Sequence, residues 1–131
     1  MTTDPIADLI NRVMNGHRAR HANTRAPYSK VKEAICVVLR REGYIRDFEK
    51  TTVAGHPALV ITLAYDSNRK PAILGVRRVS SPGQRIYADA DHLPKVRNGL
   101  GMAVLTTPSG LMTDSEARQK RIGGEVLFEM W

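Results

Sequence analysis

The chain has 131 residues, with 20 lysines and arginines against 13 acids, a net charge of +7 and one cysteine. That length allows one domain or two small ones packed together, and the charge favours an anionic partner such as nucleic acid. The single Cys36 excludes an internal disulfide and a cysteine-based zinc cluster, and no apolar run approaches the roughly 18 residues that a membrane-spanning helix needs.

The opening "MTTDPIADLI" has neither a basic leader nor a signal-like apolar core, so the expected compartment is reducing cytosol. The first element reads as a helix. Asp4 can cap it, and Pro5 suits its first position. Ile6, Leu9, Ile10, Val13 and Met14 then recur at helical spacing, and Asn15-Gly16 is expected to fray or end the element. A polar, basic stretch over 17–30 holds a short extended piece. Ser29 can cap a second helix over 30–42, with Val31, Ile35, Val38 and Leu39 as its buried stripe and Gly43 as its stop. Lys30 and Lys32 fall in its first turn, where the helix dipole disfavours cations. A phosphate at that end and plain solvation both account for them.

Strands follow over 44–53 and 58–65, joined by "AGHP" as a hairpin. In the second, Leu59, Ile61, Leu63 and Tyr65 alternate toward one buried face. "DSNRKP" (66–71) is polar and aperiodic, ends in proline, and reads as a linker. Beyond it come a strand over 72–79, a "SSPGQ" turn, a short strand begun by Arg85-Ile86-Tyr87, and one helical turn around 93–96. "MAVLT" (102–106) is a buried strand that continues past a turn into "LM" (111–112). Thr113 and Glu116 have capping-box spacing before a helix over 114–120. "EVLFEM" closes the chain as a strand with Val126, Phe128 and Met130 on one side.

The expected fold class is therefore α+β, as two small α/β domains. Residues 1–65 form a helix-strand-helix-hairpin unit, and 72–131 form a strand-rich unit with a short helix. Residues 1–65 carry ten bases and six acids, and residues 66–131 carry ten and seven, so neither half is a detachable charged tail.

Enzyme readings fail one by one. The chain has no phosphate-binding Walker loop, and Gly99-x-Gly101 lacks the later glycine of a dinucleotide fingerprint. Ser109-Gly110 has no nucleophile elbow around it. His17 and His21 have i, i+4 spacing for a metal if the first helix runs that far, but no third ligand stands near. His56 and His92 read as solvated loop residues. Asp114 and Glu116 could hold a metal for phosphoryl chemistry, although the helix cap explains both. No catalytic residue, metal or cofactor is expected.

A binding surface fits better. Thr106, Thr107 and Ser109 offer hydroxyls that can meet phosphates or 2′-hydroxyls, and Gly110, Gly123 and Gly124 let another backbone come close. Glu125 can accept from base amino groups or hold a neighbouring arginine. Aromatic content is only 5%, too low for a surface built mainly from stacking rings.

Several ordered stretches resemble the bacterial-type family of the eighth protein of the small ribosomal subunit, the S-eight family. They are "DPIADLINRVMNG" (4–16), "SKVKEAICVVLRREGYIRDF" (29–48), "RRVSSPGQRIY" (77–87), "LPKVRNGLGMAVLTTPSGLMTDSEAR" (93–118) and "GGEVLFEMW" (123–131). The resemblance covers nearly the whole chain. It implies a two-domain structural constituent of the small subunit that binds the central domain of small-subunit rRNA, mainly through its second domain, and supports assembly. It further implies neighbouring small-subunit proteins as partners, no membrane, a cytoplasmic ribosomal location, and a monomer outside the ribosome.

Carried over by position, the RNA-binding residues are Thr106, Thr107, Ser109, Gly110, Gly123, Gly124, Glu125 and Tyr87, with Ser29 and Lys30 in the first domain. Pro108, Ser109 and Ser81 depart from the family's usual serine and basic residues, which places the contacts at 108 and 109 and in the 82–83 turn in question. Lys30, Arg77, Arg78, Arg85, Arg118, Lys120 and Arg121 are expected to attract phosphates. Strand 102–106 is expected to pair with or lie near strand 125–130, and Gly124→Ala is expected to block RNA while sparing the fold. Two other classes stay open: a non-ribosomal RNA-binding module acting on an mRNA that mimics the rRNA site, and a metal-dependent nuclease using Asp114 and Glu116.

Overall fold

The computed structural model describes residues 4–131; the first residues of the expected 1–65 unit, 1–3, lie outside the described residues. The chain divides into two compact units, one ending at Ile73 and the other spanning Leu74–Trp131.

In the first unit, helix α1 covers Pro5–Arg18 and helix α2 covers Lys30–Arg41. Asp4 caps α1 by accepting from the Ala7 amide at 3.2 Å, and Ser29 caps α2 by accepting from the Lys32 amide at 3.2 Å. Helix α1 does not end at Asn15-Gly16. It runs on to Arg18, and Gly16 is buried within it, where a Cβ would stand 2.8 Å from Leu63 Cδ1. Strand β1 (Asn23–Pro27) follows α1, and β2 (Ile45–Val53) and β3 (His56–Leu63) follow α2. All pairings are antiparallel, in the order β1-β3-β2. The hairpin loop is shorter than "AGHP": Ala54 and Gly55 alone make the turn, both at positive φ, and His56 opens β3 as an exposed strand residue.

Leu9, Val13, Ile35, Val38, Leu39, Leu59, Ile61 and Leu63 are buried in this unit, at helical and alternating positions that the sequence pattern singles out, but Val31 of the expected α2 stripe is exposed and Lys32 is buried instead. The polar stretch 66–71 is folded back on the first unit. Asp66 Oδ1 accepts from the Asn68 and Lys70 amides, and Tyr65 bridges to Pro71.

The second unit is a sheet of β4 (Val76–Arg78), β5 (Tyr87–Ala88), β6 (Met102–Thr107), β7 (Gly110–Thr113) and β8 (Gly124–Met130), with helix α3 (Asp114–Lys120). The order is β4-β8-β6-β7, and β5 also pairs with β8. The expected strand over 72–79 shrinks to Val76–Arg78 because the amides of Leu74 and Gly75 both turn to the Trp131 carbonyl. The expected helical turn at 93–96 is instead a 3-10 turn over Val96–Gly99, broken by left-handed Arg97 and Asn98. Arg97 there lays its guanidinium 4.4 Å from the centre of the Trp131 ring.

The last strand also departs from simple alternation. A register shift between Val104 and Leu105 sets two residues of β8 against one of β6. Phe128 and Met130 therefore stand opposite Val104 and Met102, whereas Val126 stands opposite Leu105 and packs in a cluster with Ala103, Leu105 and Val96. Val126 does not share a side with Phe128, and β8 is buried on both faces from Glu125 to Phe128.

Candidate nucleic-acid interface

Pairing with β8 on both sides assembles the candidate surface. Tyr87 of β5 and Thr106 of β6 are each the direct partner of Glu125. Residues opposite one another in antiparallel strands project to the same face, so Tyr87, Glu125 and Thr106 form one row across three strands. Tyr87 offers a ring that is 70% exposed, and the Thr106 side chain is exposed with no bond to another described residue. Glu125 is buried; Arg85 Nη1 donates to its Oε2 at 3.2 Å, which holds the carboxylate in the sheet while half of the arginine side chain stays in solvent.

The β6–β7 hairpin extends that row. Pro108 sits at the second position of its turn, where a fixed φ is favourable, and Gly110 takes φ +108°. Thr107 Oγ1 donates to the Gly110 carbonyl at 2.8 Å and accepts from the Ser109 amide at 3.1 Å. Its hydroxyl proton is committed to the turn, leaving one lone pair for a ligand. Ser109 is exposed at the tip, and its hydroxyl has no partner among the described residues. The tip therefore presents Ser109, and Thr106 at its base, as open hydroxyls, with Thr107 as their support.

The two glycines do different work from the one expected. A Cβ at Gly124 would stand 2.2 Å from the Thr106 carbonyl oxygen, and one at Gly123 would stand 2.3 Å from the Ala88 carbonyl oxygen. The backbone that comes close is the protein's own. The expectation that Gly124→Ala spares the fold is corrected: the glycine allows β6 and β8 to meet at the row itself. Gly110, by contrast, is open in space, and its positive φ is what requires glycine.

The expected cations divide into two groups. Arg77 pairs with Glu129 at 3.1 Å, Arg118 with Asp114 at 2.7 Å, and Arg78 donates to the Leu127 carbonyl. Lys30, Lys120 and Arg121 are exposed and have no carboxylate partner among the described residues. Ser29 and Lys30 begin α2 in the first unit, and Ser29 is its N-cap. The neighbouring Lys32 is buried: Nζ donates to the Pro27 carbonyl at 3.2 Å and lies 4.0 Å from Asp8, so packing accounts for this cation.

The nuclease reading is overturned by the same bonds. Asp114 is buried, accepting from the Ala103 amide at 2.9 Å and from Arg118. Glu116 closes the capping box with Thr113. Among the described residues no group of three or more His, Cys, Asp or Glu is placed to hold a metal. Helix α1 ends at Arg18, so His17 and His21 do not share a helical face; His17 is buried and His21 exposed. His92 is exposed but not merely solvated: its Nδ1 lies 2.7 Å from Asp89 Oδ1, and that carboxylate raises its pKa. Burial pushes the Cys36 thiol up to about 12, so it carries no thiolate chemistry at neutral pH. No helix among the described residues is long and apolar enough to cross a membrane.

A sequence model of the family "Ribosomal protein S8" matches residues 4–131. The chain belongs to the ribosomal protein S8 family. It is similar to small ribosomal subunit protein uS8 of Persephonella marina, at 48% identity over 136 residues and the whole of both chains. The uS8 of Roseiflexus castenholzii is 48% identical over 98% of this chain and 97% of its own. That of Lactobacillus delbrueckii subsp. bulgaricus is 45% identical over 98% of each. Family membership makes the chain a ribosomal protein with a structural, non-enzymatic role. The sheet row and hairpin tip offer hydroxyls, a ring and an anchored arginine.

Proposed function

We propose that the chain binds the central domain of small-subunit rRNA through the Tyr87–Glu125–Thr106 row and the 107–110 hairpin tip, and that this contact supports assembly of the small subunit. The observation that carries the reading is the register that makes both Tyr87 and Thr106 partners of Glu125. Irregular RNA helices present 2′-hydroxyls and shape in a shallow minor groove, which hydroxyls and a flat strand surface can follow. Thr106 and Ser109 meet 2′-hydroxyls or phosphates, Tyr87 stacks or packs on a sugar or an unpaired base, and Arg85 reaches phosphate while Glu125 holds it. Gly110, Gly123 and Gly124 shape the surface, and Ser29 and Lys30 add a contact from the first unit. The relatives are named as small-subunit proteins, which supports the reading that this chain works beside neighbouring small-subunit proteins; we take those ribosomes to be cytoplasmic and the free chain to be a monomer.

The test is a filter-binding titration of a central-domain rRNA fragment against a regular RNA duplex of equal length, repeated over a range of salt. Each phosphate neutralised adds roughly 0.7–0.9 to the slope of log K against log salt. Preference for the fragment, a moderate slope and residual affinity extrapolated to molar salt are expected. Equal binding of the two RNAs, with salt accounting for all the affinity, would remove shape reading; preference for an mRNA hairpin over the fragment would make the chain a regulator instead.

A further inference from the structure

The end of α1 and the 66–70 loop enclose a second basic site, outside the sheet row. A cavity of about 300 Å3 in the first unit is lined by Arg20, His21, Ala22, Tyr65 and Arg69. Three of its five lining residues can carry positive charge, and none is an acid. Arg20, His21 and Arg69 have no carboxylate partner among the described residues. The near acid, Asp66, has Oδ1 taken by the Asn68 and Lys70 amides at 2.7 and 2.9 Å, so it shapes the loop.

The arginines are placed at a conformational cost. Arg20 and Arg69 both adopt left-handed backbone, at φ 58° and 62°. Such positions suit glycine or asparagine, and a long side chain there is uncommon. The arrangement is nevertheless tied together. Arg20 Nη1 donates to the Arg69 carbonyl, and Tyr65 Oη donates to the His21 carbonyl at 2.6 Å. A guanidinium has five N–H donors, so most of those of Arg20 stay available. The aromatic Tyr65 forms one wall, its ring set edge-on to buried His17 with centroids 5.2 Å apart.

From this we infer that the cavity is a phosphate-binding site for the rRNA backbone, a second anchoring point in the first unit. The inference rests on the reading that this chain binds rRNA, but not on the sheet row as the place where it does so. Two planar guanidiniums and an imidazole match the oxygens of one or two phosphodiesters, and guanidinium pairs with phosphate bidentately. The lining carries no acid, which suits a phosphodiester oxygen.

Three variants of the full chain test it against full-length small-subunit rRNA over a range of salt. Arg20→Asn with Arg69→Asn removes both charges while keeping residues that tolerate the left-handed backbone. The expected result is a salt slope lower by about 0.7–0.9 for each phosphate lost, with weaker binding at low salt. Arg20→Lys with Arg69→Lys keeps the charge and should keep the slope, which separates charge from folding. Thr106→Val, in the sheet row, should weaken binding with the slope unchanged. An asparagine pair with an unaltered slope, in a preparation where Thr106→Val does weaken binding, would overturn the phosphate site and leave the sheet reading standing. A lowered slope with no effect of Thr106→Val would sustain the site and remove the sheet row. If the asparagine pair bound rRNA normally but lost binding to polyglutamate, the cavity would belong to an acidic protein segment, and the inference would fail.

Discussion

Gly124 and the carbonyl of Thr106 meet at the centre of the candidate surface, so closely that a Cβ on Gly124 would lie 2.2 Å from that oxygen. The strand pairing that carries the proposed RNA contact depends on a missing methyl group. Gly124→Ala should therefore push β6 from β8, costing about 1–3 kcal/mol as overpacking does, and weaken RNA binding in parallel. A urea melt paired with filter binding checks this. Full stability with lost RNA affinity would return the glycine to direct RNA contact.

The two threonines before Pro108 should separate. Thr107 gives its hydroxyl to the Gly110 carbonyl and receives the Ser109 amide, so Thr107→Val should lower stability by about 0.5–1.5 kcal/mol and loosen the tip. Thr106 is exposed and its hydroxyl has no bond to another described residue, so Thr106→Val should leave the urea midpoint unchanged and reduce affinity for the rRNA fragment. Equal midpoints for the two variants would count against a supporting role for Thr107.

Leu105 and Phe128 are fully buried in the second unit. Leu105→Ala or Phe128→Ala should cost about 2–5 kcal/mol, the range for large-to-small core changes, and should lose RNA binding through unfolding. Circular dichroism melts of each variant supply the measurement. Retained stability would mean that the bulged β8 repacks.

His17 predicts an acid sensitivity. It is buried, and burial lowers its pKa from the ordinary 6.5, outweighing the backbone of Ala64, which favours the protonated ring. The unfolded chain then takes up a proton near pH 6.5 that the folded chain refuses. Stability present above that pH should decline as pH falls through 6.5 toward the lower folded value. His92 acts in the opposite sense, since Asp89 raises its pKa, but it is fully exposed and solvent screens the pair. Urea midpoints from pH 7.5 to 5 should fall for the natural chain, and more shallowly for His17→Phe, which keeps an apolar ring against Tyr65. Parallel curves for the two would assign the sensitivity elsewhere.

Much of the molecule was legible locally. Asp4-Pro5, Ser29 and the Thr113/Glu116 pair announce helix starts because capping needs only a side chain and an amide a few residues on. Leu59, Ile61 and Leu63 declare a buried strand face because alternation is a property of one strand. The motifs that carry the family resemblance are likewise short and contiguous. What local spacing could not determine is where distant segments touch. The bulge that moves Val126 away from Phe128 is a relation between β6 and β8. The need for Gly16, Gly123 and Gly124 comes from Leu63, Ala88 and Thr106, each far along the chain from the glycine it restricts. The same holds for cations: Arg118 and Arg77 look like phosphate ligands in sequence, and only the fold brings Asp114 and Glu129 to them, while Arg20 and Arg69 gain their site by meeting across 49 residues. Sequence determined the elements and the kind of partner, because both follow from local chemistry and summed charge; tertiary structure decided which glycines bear packing and which charges stay open, because both depend on what stands opposite.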